Sequence, residues 1–435
     1  MTSRAAAGEA ELHQRPARHS YSVGAIQLVL QMVLSAATSL RSAAAVLALL
    51  GRQGPFGDQR PCANSGRLWL LRIGLFRLTC EKQHAGDWVW LMDHTLQLGP
   101  YKCLIIIGIR LSAWDSARPL RHDDVALLNL TPMEHSSGEL VQEQLEASVA
   151  HTGLPCAVVS DEGSDLKRAM QLFRQDHPHV RHHNDMKHKN ALLLKKELAG
   201  DARWAEFLKQ ANRTKLATTQ TALAFLNPPG LKTKARYMNL DTLVGWGERT
   251  LAYLDGSGDT AGSSVDVDGP KLQEKLGWLR SYRPALKRWS ELLAVARTAE
   301  KLVQGGVHRS ICDELRGELQ PVATTPAAQR MSRQVLAFLA AQSAGMSVGE
   351  RVIGSTEVLE SIIGKYKRLQ SSHSKGGMTA MLLSIGAMLG KQTASHIKQA
   401  LETVRTAEVA TWCRDHLGLT IQTQRRLTLG ATKTG

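Results

Sequence analysis

The stretch Trp88-Val-Trp-Leu-Met-Asp-His-Thr95 sets one carboxylate, Asp93, near the end of an apolar run with strand character. An ionised Asp among apolar neighbours is costly unless paired, and a divalent cation is the partner that calls for several carboxylates at once. Asp93 is therefore either a metal ligand or the cap of a strand that enters a turn. A second apolar run, Pro155-Cys-Ala-Val-Val-Ser-Asp161, also ends in a carboxylate and continues into Glu162-Gly163. An open sheet with helical cover presents its chemistry at such a junction. Asp161 reads as a second ligand, or as the N-cap of a helix that starts near Ser164 with Glu162 and Asp165 in its first turn.

These acids need a sheet to bring them together. Short branched runs over 89–95, 102–110 and 125–130 read as three strands, followed by a helix through Leu140, Leu145 and Val149 to Gly153. A fourth strand over 155–161, a helix over 166–173, a fifth strand over 180–184 and a helix over 186–198 complete the order β-β-β-α-β-α-β-α. The last strands alternate with helices and are expected to run parallel in a mixed sheet covered by helices. In that order the first and fourth strands can lie side by side, which brings Asp93 and Asp161 to one edge.

Around this core the texture is helical. Residues 1–22 read as disordered, 23–50 as two amphipathic helices, and 51–61 as a Gly/Pro-rich break before a basic helix with Arg67, Arg72 and Arg77. Helix, turn and basic helix is the outline of a helix-turn-helix DNA reader, and equally of a small bundle with a basic exposed face. Gln27, Gln31, Ser35, Ser39, Arg41 and Ser42 make 25–50 too polar to span a membrane. Segments 204–223, 240–254, 271–303 and 327–341 favour helix, with an acidic Gly/Ser-rich loop over 256–269. A final helical region opens at Ser355, breaks at Gly376-Gly377 and resumes through Leu389; the tail from Gln422 is basic and expected to be mobile. The expected fold class is α/β: a mixed sheet flanked by helices, with an N-terminal helical domain and an all-α insertion. The expected boundaries are 1–22, a DNA-binding region over 23–84, the core over 85–199, the insertion over 200–350, the final core helices over 351–395, and a C-terminal helix and tail over 396–435.

With 43% hydrophobic and 21% charged residues, the 435-residue chain is an ordinary globular sequence with room for two or three cores. Its net charge of +15 points to a polyanionic partner, nucleic acid first. Cys62, Cys80, Cys103, Cys156, Cys312 and Cys413 are scattered with no CxxC, which argues against a zinc module or a disulfide framework and fits a reducing cytoplasm.

Taken together, Trp-Leu-Met-Asp93-His-Thr, Val-Val-Ser-Asp161-Glu-Gly-Ser-Asp-Leu and Ser355-Thr-Glu-Val-Leu-Glu-Ser-Ile-Ile-Gly-Lys-Tyr-Lys resemble the acidic motifs of DDE-type transposases. These are RNase H-like, retroviral-integrase-like enzymes of bacterial insertion sequences, here with a helical insertion before the final Glu. The resemblance covers about residues 85 to 390. The third acid of that family sits in a Glu-x4-Lys-x-Lys setting, matched by Glu360, Lys365 and Lys367, with Glu357 as the alternative on the same helix face. His183-Asn-Asp185-Met-Lys-His188-Lys189 is similar to the (Cys or Asp)-x-x-His motif after the second Asp in hAT-like relatives. There the pair lies beside the active site; without the resemblance, Asp185 is a helix cap and His188 a solvated side chain.

The resemblance implies cleavage of DNA at transposon ends and transfer of 3′-OH ends to target DNA, with two Mg²⁺ or Mn²⁺ ions held by Asp93, Asp161 and Glu360. It also implies a homo-oligomer on DNA, no membrane, and a place in the cytoplasm at the nucleoid. Asp185, His188, Lys189, Lys365, Lys367, Arg67 and Arg72 are the expected DNA-binding residues, although Lys runs of this kind also occur as solvated helix faces. Trp246, Trp278 and Trp289 read as core, with base stacking as the other role. A related RNase H-like nuclease or resolvase would cut DNA by structure without joining ends, and an inactive descendant would only bind it.

Overall fold

The computed structural model describes residues 10–98, 101–230, 237, 240–256, 269–373 and 377–430. Most of the expected acidic loop over 256–269, Lys375 and Gly376 of the expected break, and Lys433 of the tail lie outside them. The chain forms two compact units, one of Met1–His183 with Thr356–Gly435 and one of Asn184–Ser355.

The first unit opens with α1 (Val23–Leu34), α2 (Leu40–Leu50) and α3 (Ala63–Thr79). The side chains of Ser22 and Ser39 accept hydrogen bonds from Ala25 N and Ser42 N, which caps α1 and α2 and starts each helix where it does. Residues 10–22, expected to be disordered, are tied down in part: Val23 N donates to Gln14 O at 2.8 Å and Ala17 N to Glu402 Oε1 at 2.9 Å.

The sheet follows as β1 (Trp88–Leu98), β2 (Tyr101–Arg110), β3 (Ala126–Met133), α4 (Gly138–Thr152), β4 (Ala157–Ser160), α5 (Ser164–Asp176) and β5 (Arg181–Asn184). Its strand order is β3-β2-β1-β4-β5. β2 is antiparallel to β1 and to β3, while β1 and β4 run parallel, so the first and fourth strands are neighbours as the sequence order allows. One face of the sheet packs Trp88, Trp90, Met92, Leu104, Ile106, Leu128 and Val158 against Val141 and Leu145 of α4 and Leu166, Met170 and Phe173 of α5. Each of these large side chains contributes about 1.5–3 kcal/mol by leaving water, so this layer fixes the register of the strands.

The second unit holds α6 (Met186–Ala199), α7 (Ala202–Thr218), α8 (Asp241–Leu254), α9 (Gly269–Leu276), α10 (Arg283–Gln304), β6 (Val307–His308), α11 (Ile311–Leu319), α12 (Pro326–Ser343) and β7 (Arg351–Val352). The expected single helix over 271–303 is divided by a 3₁₀ segment, Gly277–Tyr282, and the β6/β7 ladder interrupts what was expected to be entirely helical. Two residues per strand are too few to show as a sequence pattern.

The chain then returns to the first unit with α13 (Glu357–His373), α14 (Ser384–Ala387), α15 (Ala394–Thr403), α16 (Thr406–His416) and α17 (Ile421–Leu429). α14 crosses α3 at two glycines: a Cβ on Gly386 would lie 2.6 Å from the Gly74 carbonyl oxygen, so only Gly allows the backbones to meet. This contact helps bury α3, whose Trp69, Leu70, Leu71, Ile73, Leu75 and Phe76 are all inside. The expected basic recognition helix is instead the inner helix of its bundle.

Candidate metal centre

Asp93 and Asp161 come together through strand parity. In the β1/β4 ladder Val89 pairs with Ala157, Trp90 with Val158 and Leu91 with Val159. Side chains alternate along a strand, so Trp90 and Val158 face α4 and α5 while Leu91 and Val159 face the other way. The ladder ends at Leu91 and Val159; Asp93 lies two residues further along β1 on the face of Leu91, and Asp161 two residues beyond Val159, past the last ladder pair. Asp93 is half-buried and its Oδ1 accepts from His94 N at 2.6 Å. Asp161 is just past the end of β4, where its Oδ1 accepts from Gly163 N at 2.9 Å. The N-cap of α5 is Gly163, so the alternative reading of Asp161 as that cap does not hold.

The helix that covers this face is α13. In the β1/β2 ladder Asp93 pairs with Ile105 and Thr95 with Cys103, which puts Ile105 and Cys103 on the Asp93 face. Tyr366 of α13 lies against them: burial, and then the neighbouring Cys103 thiol, push its phenol well above the ordinary range. α13 buries Val358, Leu359, Ile362, Ile363, Tyr366 and Leu369, and packs on β1. Glu360 stands in its first turn, half-buried, whereas Glu357 at the helix start is exposed. The carboxylate oxygens of Asp93, Asp161 and Glu360 are not all within 4.8 Å of one another.

An antiparallel three-strand meander joined through β1 to the parallel strand β4, with Asp93 midway along β1 and Asp161 just past β4, is a recognisable arrangement. The core is RNase H-like.

The sequence matches no protein-family profile, and it matches no curated protein. Among solved structures, the chain is similar to the Drosophila P element transposase in its strand transfer complex, at 10% identity over 89% of this chain and 94% of that one, with a TM-score of 0.42.

Elsewhere in the first unit, α13 carries half-buried Lys365 and exposed Lys367 and Arg368. Burial, with Arg368 nearby, lowers the Lys365 ammonium from its ordinary value, and Asp123 opposes them. Arg67 is half-buried. Arg72 turns inward: Nε donates to Val404 O at 2.6 Å, a second nitrogen to Leu401 O, and a third lies 2.9 Å from His19 Nε2. It holds the end of α15, which is a correction to its reading as a DNA-binding residue. A guanidinium that satisfies carbonyls left over at a helix end leaves no sequence mark.

In the second unit, Asp185 is 1% exposed and caps α6, its Oδ1 accepting from Lys187 N at 2.8 Å while Oδ2 meets His188 Nδ1 at 2.9 Å. Lys189 lies over the Phe338 ring at 5.3 Å, while Lys195 and Lys196 are exposed. The tryptophans are core: Trp204, Trp246, Trp278, Tyr282 and Trp289 all pack around Phe207. Three of the indole N–H groups donate inside the unit, Trp246 to Leu226 O, Trp278 to Thr214 Oγ1 and Trp289 to Asp201 Oδ2. None of the six cysteines is in a disulfide, and no helix among the described residues is long and apolar enough to cross a membrane.

The sequence reading missed a polar network on the opposite face of β1. Asp165, Lys102, Ser136 and His94 converge there from four segments of the chain. Apart from the acidic spacing Asp161-Glu-Gly-Ser-Asp165, no local signal announces it.

Proposed function

We propose that this chain is a DDE-type DNA transposase, in which Asp93, Asp161 and Glu360 hold two divalent cations for phosphodiester cleavage and strand transfer. The observation that supports the reading is that β1, which carries Asp93, and β4, which Asp161 follows, are adjacent parallel strands, and that the helix of Glu360 packs on β1. Three hard carboxylates on sheet and helix suit Mg²⁺ or Mn²⁺, and six dispersed thiols offer nothing to a soft ion. Bound there, the ions would supply Lewis acidity and lower the cost of charge on the attacking and departing oxygens.

The protein's own share is positioning. Asp93, central on β1, would be the ligand common to both ions, with Asp161 and Glu360 as the further carboxylates that would hold them. Lys365 and Lys367 follow Glu360 along α13 and draw the DNA backbone toward the acids, with Arg67 as a further phosphate contact. Asp185 fixes His188 in one orientation, and His188 and Lys189 contact DNA. No side chain forms a covalent bond to the substrate. A chain of net charge +15 suits the polyanion, and two copies would serve two transposon ends.

The test is Mg²⁺-dependent nicking and joining of duplexes that carry the DNA flanking the gene. The purified protein is expected to cut at a terminal inverted repeat and to join the 3′ end to a target plasmid, and Asp93→Asn to do neither. Cutting without joining would instead mark a structure-specific nuclease. Equal DNA binding by wild type and Asp93→Asn, with no cutting by either, would mark a DNA-binding protein only.

A further inference from the structure

Asp165 takes no part in the chemistry above, yet it is the most heavily bonded acid beside it. Its Oδ2 accepts from Lys102 Nζ and from Ser136 Oγ, each at 2.7 Å, and His94 Nδ1 stands 3.7 Å away. Ser136 Oγ is in turn 3.1 Å from His94 Nε2. The Asp165 side chain is only 11% exposed. Burial works to raise its carboxyl, but the hydrogen bonds of Lys102 and Ser136 and the charges of His94 and Lys102 prevail and hold it at about 2. It is an ionised acid whose oxygens are already committed.

Each arm of this network reaches the immediate neighbourhood of a proposed ligand. His94 follows Asp93 in the chain and donates its own N–H to Asp93 Oδ1. On the other side Gly163 donates to Asp161 and is wedged between two carboxylates: a Cβ there would lie 2.9 Å from Asp161 Oδ1 and 3.3 Å from Asp165 Oδ1. One carboxylate on the α5 side of the sheet thus braces β1 at His94, beside Asp93, and the turn after β4 that holds Asp161.

The geometry points to Asp165, with Lys102 and Ser136, as a positioning residue for the metal-binding carboxylates: it fixes the chain beside each acid so that Asp93 and Asp161 present their oxygens to the same ions. The inference rests on the metal reading above. Groups one step removed from a metal orient its ligands, and their loss lowers affinity about 10–100-fold.

The test is Mn²⁺ binding to the full-length chain without DNA, followed by electron paramagnetic resonance, beside thermal unfolding of each variant. Asp165→Ala and Lys102→Met are expected to weaken Mn²⁺ binding by about 10–100-fold. Lys102→Arg, which keeps the charge and the donors, should restore most of it. Ser136→Ala removes only a hydroxyl, with its bonds to Asp165 and His94, and a several-fold loss there supports the inference even if Asp165→Ala does not fold. Unchanged Mn²⁺ affinity in folded Lys102→Met and Ser136→Ala, whatever their unfolding temperatures, overturns it. Asp93→Asn separates the two readings. If it leaves Mn²⁺ binding intact, the metal centre itself is wrong; if it abolishes binding while the network variants do not, only the role of Asp165 falls.

Discussion

His188 and Asp185 share one bond at the start of α6: the imidazole Nδ1 lies 2.9 Å from a carboxylate oxygen whose twin caps the helix. Asp185→Ala removes both and is expected to cost about 1–3 kcal/mol, the range for a lost cap together with a stranded buried partner. Asn is as good an N-cap as Asp, so Asp185→Asn should lose less than about 1 kcal/mol. Urea unfolding of the two variants separates the cap from the charge; equal losses would show that the cap is worth nothing here.

Glu357 and Glu360 are three residues apart on α13 but differ in setting, the first exposed and the second half-buried on the helix that covers Asp93. Glu360→Gln is expected to slow DNA cleavage at least about a hundredfold, equivalent to ~2.7 kcal/mol of transition-state stabilisation. Glu357→Gln should stay within a few-fold of wild type. Single-turnover nicking rates decide between them, and the reverse pattern would move the third ligand to Glu357.

Asp165 gives the fold an acid-sensitive brace. Its folded value of about 2 lies below the ordinary 3.8, so its contribution to stability is fully present above 3.8 and is lost as pH falls toward 2. The loss is expected to be about 1–2 kcal/mol for so well shielded a group. Unfolding free energies of wild type and Asp165→Asn across that window should converge at the acid end, and parallel curves would show that the ion pair adds nothing.

Phe207 is the hub of the second unit, ringed by Trp204, Trp246, Trp278, Tyr282 and Trp289. Phe207→Ala is expected to cost about 3–5 kcal/mol through the cavity it leaves. Trp278→Phe should leave DNA affinity unchanged below its unfolding temperature, because the indole is committed to Thr214. A specific loss of DNA binding in Trp278→Phe would return that ring to base stacking.

What the sequence revealed and what it hid divide along the reach of the interactions. The apolar runs around Asp93 and Asp161 are local, and they located two strands that prove to be neighbours, although β1 continues to Leu98 and leaves Asp93 midway along it. Helix α13 was legible from the spacing of Val358, Leu359, Ile362 and Tyr366. Arg72 was misread because its partners, Leu401 and Val404, lie more than three hundred positions away, where no window along the chain connects them. The Lys102–Asp165 pair spans 63 positions and was hidden for the same reason. α3 shows arginines at 67, 72 and 77 and so looked like an exposed helix; the glycine contact with α14 that buries it depends on the final stretch of the chain.

The first unit is built from two pieces of chain, with all of Asn184–Ser355 inserted between them. On a ribosome the strands bearing Asp93 and Asp161 emerge early, and β1 lacks the helix that packs on it until the segment with Glu360 is translated. Any premature stop within the inserted segment therefore yields a sheet that has neither its late covering helix nor the acid that helix carries.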